Sequence, residues 1–133
     1  MEKLSSVLVI DDDDIFNFIA TKIIERNGIS DHVITATNGE QGLSLLKDFA
    51  TNGHLESVPD LILLDINMPV MNGWMFLEQF RKIKEALGKD IKLAIVSTSV
   101  DPEDQEKAKR FPEIGMFISK PLKAEDLRLL TVA

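Results

Sequence analysis

Short apolar runs recur along the chain with helix-like segments between them, and this alternation constrains the fold more than any other feature. Four runs are rich in branched residues and do not alternate with polar positions, which is typical of strands buried on both faces of a sheet. They are Val7 to Ile10, Leu61 to Leu64, Leu93 to Val96 and Met116 to Ile118, and a weaker fifth run is Val33 to Ala36. Strands that alternate with helices pair in parallel through right-handed crossovers. The sequence therefore predicts an α/β fold with a doubly wound, five-stranded parallel sheet and helices on both faces.

Apolar residues at helical spacing predict the helices between these runs. The expected helices run from Asp14 to Asn27, around Leu43 to Phe49, from Gly73 to Leu87, from Pro102 to Arg110 and from Ala124 to Leu130. The fourth of them is mostly charged and has little besides Ala108 to bury, so we expect it to pack lightly. The segment from Thr51 to Pro59 is rich in turn-forming residues and is predicted to be a long loop.

Length and charge narrow the classes of function. The 133 residues match one domain, predicted to span 1–133. With 22 acidic and 15 basic residues the net charge is −7, which disfavours nucleic acid as a partner. The absence of cysteine excludes disulfides and thiolate metal sites and suits a reducing compartment. No apolar run approaches the ~20 residues that cross a bilayer. We therefore expect a cytoplasmic domain with no membrane partner.

Carboxylates follow the apolar runs at the sheet edge where parallel sheets bind their ligands. Asp11 and Asp12 follow the first run and Asp65 follows the third, and the carboxyl ends of parallel strands meet at one edge. Like charges this close together favour a bound cation. Oxygen donors without His or Cys are typical of Mg²⁺ rather than Zn²⁺. Asp13 and Asp14 are interpreted instead as the cap and first turn of the first helix.

Ser97 and Lys120 follow the fourth and fifth runs at the same edge. Each has an alternative interpretation. Ser97 can satisfy backbone groups at a strand end, in a register left open by one residue because Thr98 and Ser99 follow it. Lys120, which precedes Pro121, can be a surface lysine before a helix start. Beside the carboxylates, however, an ammonium and a hydroxyl form a pocket for a group with several negative charges, such as a phosphoryl group.

The segment LLDINMPVMNGW is the most specific motif of the chain. With the Asp pair upstream and the Ser and Lys-Pro positions downstream, it closely resembles the receiver domain of two-component response regulators. The resemblance covers essentially the whole chain, and five ordered marks in a β-α frame are more discriminating than one short motif. It implies the flavodoxin-like strand order 2-1-3-4-5 and a cis peptide bond before Pro121.

The resemblance also assigns roles to the acidic residues. Asp65 corresponds to the phosphoacceptor. Asp12 corresponds to the main Mg²⁺ carboxylate, with Asp11 assisting and Asn67 supplying its backbone carbonyl. A carboxylate is a known covalent acceptor of phosphoryl, and the transfer needs mostly positioning and charge neutralisation.

Four further residues correspond to the family's phosphoryl-contacting and switch positions. Lys120 would contact the phosphoryl oxygens, and Ser97 would be the switch hydroxyl. Thr98 stands beside the phosphoryl position, where many receivers carry a smaller residue. Phe117 corresponds to the aromatic that turns inward on activation, into space that Ser97 vacates. The fourth helix, the fifth strand and the last helix are therefore the expected output surface.

The expected function is a phosphorylatable signalling switch that acts alone or in a relay. The donor would be a phosphohistidine on a sensor histidine kinase or a histidine phosphotransfer protein, and the output a downstream protein target. The domain would catalyse only its own phosphorylation and dephosphorylation. A phosphatase with an aspartyl-phosphate intermediate is disfavoured because Asn67 cannot be a general acid and no insertion is long enough for a cap. A phosphorylation-independent module and a flavodoxin are weaker alternatives.

The first helix carries more large apolar residues than one buried stripe can absorb: Ile15, Phe16, Phe18 and Ile19 fall within five positions. At least one of them should face solvent. In receivers this helix begins beside the active site, where the family engages its phosphodonor. Phe16 is predicted to be the exposed docking contact.

Overall fold

A five-stranded parallel sheet organises the protein. The computed structural model describes residues 3–99 and 101–131. The strands pair in the order β2-β1-β3-β4-β5, as expected for the doubly wound fold. They are β1 Val7–Ile10, β2 Val33–Ala36, β3 Leu61–Leu64, β4 Lys92–Ser97 and β5 Ile114–Ser119.

Five helices cover the two faces of this sheet. They are α1 Asp14–Arg26, α2 Gly39–Thr51, α3 Gly73–Ile83, α4 Pro102–Ala108 and α5 Ala124–Thr131. The predicted third helix is correct in position, but its last turn, Lys84–Leu87, is a 3-10 helix, and Gly88 ends it with a left-handed φ of 65°. The predicted loop after α2 contains a short 3-10 turn, Leu55–Ser57. No helix within the described ranges is long and apolar enough to cross a membrane.

Two apolar clusters lie on opposite faces of the sheet because successive strand residues point to opposite sides. Leu8 and Ile10 belong to the cluster under α2 and α3, whereas Val7 and Val9 belong to the cluster under α1 and α5. The predicted burial on both faces holds for β1, β3 and most of β4. It is wrong for β5, in which Ile118 alone is buried, because this strand is at the sheet edge.

The fourth helix is the lightly packed element that the sequence predicts. Of its seven residues, Ala108 alone is buried. The helix is capped by Asp101, whose side chain accepts a hydrogen bond from the backbone N–H of Glu103 at 2.9 Å. Its N-terminal end is therefore capped, while little of the helix is buried against the core.

Candidate functional site

Three carboxylates converge at the carboxyl edge of the sheet. Asp11 follows β1 and Asp65 follows β3, and these strands are direct neighbours, with Ile10 opposite Leu64. Asp11, Asp12 and Asp65 each offer a carboxylate oxygen within 4.8 Å of the others. Asp11 and Asp65 are buried, whereas Asp12 is exposed. The convergence that the strand ends predict is therefore present.

One ammonium group faces this cluster. Lys120 follows β5, and its Nζ lies 2.7 Å from Oδ2 of Asp11. Its backbone N–H donates to the carbonyl of Ser97 at 2.9 Å, which continues the pairing of β4 with β5 to the edge. The peptide bond between Lys120 and Pro121 is cis, as the family resemblance implies. Three carboxylates thus face one lysine.

Burial perturbs the carboxyl pKa values at this edge of the sheet. Burial raises the pKa of Asp11 above its ordinary value, although the hydrogen bond from Lys120 opposes the rise. Burial also raises the pKa of Asp65, and the charges of Asp11 and Asp12 add to the effect against a backbone hydrogen bond from Asn67 and the charge of Lys120. A cation would relieve the crowding. The oxygen-only cluster fits a hard ion such as Mg²⁺.

The loop between β3 and α3 shapes the side of the site that carries Asp65. The backbone N–H of Asn67 donates to Oδ1 of Asp65 at 3.2 Å. Gly73 begins α3 so close to the strand end that a Cβ there would meet Ile66 Cα at 2.7 Å and the Asp65 carbonyl at 2.8 Å. Asn72 caps the same helix. The Asn-Gly pair of the motif is therefore required because it lets α3 start directly against the loop that carries Asp65.

A hydroxyl closes the site from β4. Ser97 is fully buried, and its Oγ accepts hydrogen bonds from the Ser99 N–H at 3.1 Å and from Asn67 Nδ2 at 3.4 Å. It thus links the end of β4 to the loop after β3. Thr98 is exposed beside it. Phe117 on β5 is half-buried and packs against the cluster under α2 and α3.

A family model described as the response regulator receiver domain matches residues 7–131. The chain belongs to this family. A two-component response regulator from Cytophaga hutchinsonii shares 35% identity with this receiver domain at a TM-score of 0.86, over 97% of this chain and 95% of that one. The sensor histidine kinase CheAY of Helicobacter pylori is 37% identical over 91% of this chain, which spans 14% of that protein.

A third similar protein was solved in complex with ligands. The receiver domain of the histidine kinase CKI1 from Arabidopsis thaliana, complexed with Mg²⁺ and BeF₃⁻, has 27% identity and a TM-score of 0.76, over 95% of this chain and 89% of that one. The chain spans 14% of CheAY and 29% of the protein-glutamate methylesterase of Treponema pallidum, to which it is 32% identical over 96% of its own length. These relatives therefore contain much more than the receiver domain.

The nomination of Phe16 as an exposed contact is wrong. Its side chain is 9% exposed and belongs to the buried cluster under α1. Phe16, Ala20 and Ile24 recur at four-residue spacing and form the inward stripe of α1. The expectation that the helix presents apolar side chains to solvent is confirmed by others, because Phe18 is 63% and Ile15 is 72% exposed.

Sequence reasoning missed Asn17, which is buried on the same helix. Its Nδ2 donates to the Asp11 carbonyl at 2.9 Å and to the Ala36 carbonyl at 3.5 Å, so it ties α1 to the ends of β1 and β2. Its Oδ1 has no partner among the described residues. The sequence signal that could have indicated it is its position: Asn17 lies three residues before Ala20, on a helix face whose other residues are apolar.

Proposed function

We propose that this receiver domain is a phosphorylatable switch of a two-component system, with Asp65 as the phosphoacceptor. A carboxylate oxygen of Asp65 would form a bond to phosphorus as the P–N bond of a phosphohistidine breaks, and the released imidazole would keep the electron pair. The observation that carries the proposal is the placement of Asp65 at one edge with two other carboxylates and Lys120. A sensor histidine kinase or a histidine phosphotransfer protein is the proposed donor.

We assign the metal ligands to the same cluster. Asp11, Asp12, Asp65 and the backbone carbonyl of Asn67 would hold Mg²⁺, which supplies charge neutralisation for the incoming phosphoryl oxygens. Asp11 also keeps the Lys120 ammonium beside the acceptor. Support comes from the carboxylates, whose negative charge exceeds the positive charge of the one lysine beside them. Further support is that the similar receiver domain of CKI1 was solved in complex with Mg²⁺ and BeF₃⁻.

Lys120 and Ser97 are the proposed contacts of the phosphoryl group. The Lys120 ammonium has Asp11 as its hydrogen-bond acceptor within the described residues, which leaves N–H groups for phosphoryl oxygens. The Ser97 hydroxyl accepts hydrogen bonds from the Ser99 N–H and from Asn67 Nδ2, and it can donate its own proton to a new oxygen. Thr98 would border the group from the solvent side. The chemistry of the domain is in this proposal limited to phosphorylation and dephosphorylation of its own Asp65.

The output would arise from movement of Ser97 and Phe117. A charge-assisted hydrogen bond from Ser97 to the phosphoryl group contributes ~1.5 to 3 kcal/mol. A shift of ~1.4 kcal/mol is tenfold in a two-state equilibrium. Because α4 buries Ala108 alone, it is the element proposed to move in response. The surface of α4, β5 and α5 is the proposed contact for a downstream protein.

Donor docking is assigned to the exposed apolar residues of α1. Ile15, Phe18 and Ile19 are 72%, 63% and 49% exposed, and the helix begins two residues after Asp12. Replacing Phe18 by serine should slow phosphotransfer from a phosphorylated donor protein and leave phosphorylation by acetyl phosphate unchanged. Equal transfer rates for both proteins would refute the docking assignment.

Incubation with acetyl phosphate and Mg²⁺, followed by intact-protein mass measurement, tests the proposed function. The expected result is one added phosphoryl group on the unmodified sequence and none on Asp65→Asn. Asp60→Asn is the matched control because Asp60 is paired with Lys89 at 3.0 Å, away from the cluster. Phosphorylation of Asp65→Asn to the same extent would refute the acceptor, and no phosphorylation of the unmodified sequence would refute the function.

A further inference from the structure

An aromatic ring borders the lysine of the site. The Lys120 Nζ lies 4.3 Å from the centroid of the Phe16 ring, well inside the ~6 Å over which a cation is attracted to a ring face. The same nitrogen is 2.7 Å from Asp11 Oδ2. The ammonium group is therefore in contact with a carboxylate and with a ring face. The Lys120 side chain is 17% exposed, so water screens these contacts little.

The first turn of α1 fixes this ring. The Asp13 carboxylate accepts hydrogen bonds from the backbone N–H groups of Ile15 at 2.9 Å and Phe16 at 3.3 Å, so the backbone under the ring is capped. The ring itself belongs to the buried cluster under α1. Phe16 therefore presents a rigid face, and Lys120 is the long, flexible partner whose position the face can restrict.

Other cations stand over rings in this protein, but in a different setting. Lys22 lies 5.4 Å from the Phe18 ring and Lys107 lies 5.2 Å from the Trp74 ring. Both of these lysines are exposed and neither belongs to the acidic cluster. Arg81 lies 4.4 Å from the Phe111 ring, but its side chain is 34% exposed and is paired with Glu113, away from the acidic cluster. The contact at Phe16 involves a less exposed cation, and that cation is the proposed phosphoryl contact.

We propose that Phe16 is a positioning residue for Lys120. Its ring face holds the ammonium group beside Asp11, so that the remaining N–H groups of Lys120 are directed to oxygens at Asp65. The expected effect on Asp65 phosphorylation rests on the proposed function. The interaction between Phe16 and Lys120 rests on the described contacts alone. A residue that merely filled the core would act through its volume, whereas a ring that holds a cation acts through its electron-rich face.

The electron density of the ring face is the quantity to vary. Phenylalanine analogues with one, two and three ring fluorines, introduced at position 16, weaken the attraction for a cation with little change in shape. With saturating Mg²⁺, the rate of Asp65 phosphorylation by acetyl phosphate should fall with each fluorine and reach a loss of about threefold to tenfold. The matched control is the same series at Phe80, which is buried in the other cluster and stacks on Phe76; its rate should not change. Equal phosphorylation rates for all the analogues at Phe16 overturn the proposal.

A double-mutant cycle separates this inference from the proposed function. Phe16→Leu, Lys120→Met and the double variant are unfolded in urea without phosphodonor. Phe16→Leu should raise the equilibrium constant for unfolding by a factor at least about threefold larger when Lys120 is present than when it is replaced by Met. Equal effects in the two backgrounds overturn the proposal. A protein that accepts no phosphoryl group but shows this coupling refutes the function and keeps Phe16 as the residue that positions Lys120.

Discussion

Replacing Asp65 by asparagine should stabilise the domain when no metal is bound. Three carboxylates and one ammonium give the cluster a net charge of −2, from −3 and +1, when all are ionised. The substitution reduces the net charge of the cluster from −2 to −1. It also keeps an amide oxygen that can accept the hydrogen bond from the Asn67 N–H, which is 3.2 Å from Oδ1 of Asp65. Repulsion is removed while the local hydrogen bond is conserved.

Coulomb's law sets the size of the effect. The carboxylate oxygens of Asp65, Asp11 and Asp12 lie within 4.8 Å of one another, and at that distance each ionised pair repels by about 3.5 kcal/mol at an effective dielectric constant of 20 and about 0.9 kcal/mol in water. The attraction between Asp65 and Lys120 is lost at the same time and offsets about one pair. The expected gain in the free energy of unfolding is therefore about 1 to 3 kcal/mol at pH 7.

The gain should depend on pH in a defined direction. Burial, with the charges of Asp11 and Asp12, raises the folded-state pKa of Asp65 above its ordinary value of 3.8. The ionised group therefore opposes folding above that raised pKa, and the penalty disappears as the pH falls through it toward 3.8. The stability difference between Asp65→Asn and the unmodified protein should be largest near neutral pH and should shrink in acid.

Urea unfolding followed by tryptophan fluorescence measures the difference. Trp74 is the single tryptophan of the chain and is buried, and a chelator keeps the cluster free of metal. Asp60→Asn is the control: burial raises the pKa of Asp60, but hydrogen bonds from Ser5 and Lys89 outweigh it, so the pKa is lowered. The two asparagine variants should change stability in opposite directions. A loss of stability in Asp65→Asn, or a gain that does not decrease in acid, would refute the electrostatic account.

Three further outcomes follow from the same contacts. Asp12→Ala should abolish Mg²⁺ binding in a calorimetric titration without unfolding the metal-free domain, because it removes an exposed member of the cluster; an unchanged titration contradicts the assignment. Asn17→Ala should weaken Mg²⁺ binding by about threefold or more, since a carbonyl beside the site loses its donor, whereas Asn27→Ala, on the same helix, should not. Addition of Mg²⁺ and BeF₃⁻ should alter amide exchange throughout 101–117; unchanged exchange there, with changes only around Asp65, refutes the proposed switch.

The fold could be predicted from the sequence because alternation of buried strands and helices leaves few topologies. The central strands follow their apolar runs closely, as Val7–Ile10 and Leu61–Leu64 show. The consecutive apolar residues of the fifth strand predict burial on both faces, yet strand order decides burial and places Ile114–Ser119 at an edge. Val70, with a φ of 68°, lies in the loop after β3, and a β-branched residue gives no signal for that conformation.

The carboxylates of the site could be predicted because strand ends of a parallel sheet meet at one edge. The supporting residues could not, because their roles depend on which face of α1 turns inward. Phe16 and Phe18 are equally apolar, so hydrophobicity alone does not show which of them is buried. Phe16 is the buried one because Ala20 and Ile24 continue its stripe along the inward face of α1. Asn17 carries no apolar signal, and its donors find carbonyls only once α1 is docked on β1.

The two faces of the N-terminal half of α1 thus lie beside one site, and donor docking is proposed for the outward face. Inward, Phe16 contacts Lys120 and Asn17 holds the Asp11 carbonyl; outward, Phe18 is exposed. Because a helical turn is nearly rigid, a substitution that shifts the outward face also shifts the groups that contact Lys120 and the backbone carbonyl of Asp11. A slower transfer from a donor protein is therefore evidence of docking only when the rate with acetyl phosphate, which needs the inward face alone, is unchanged.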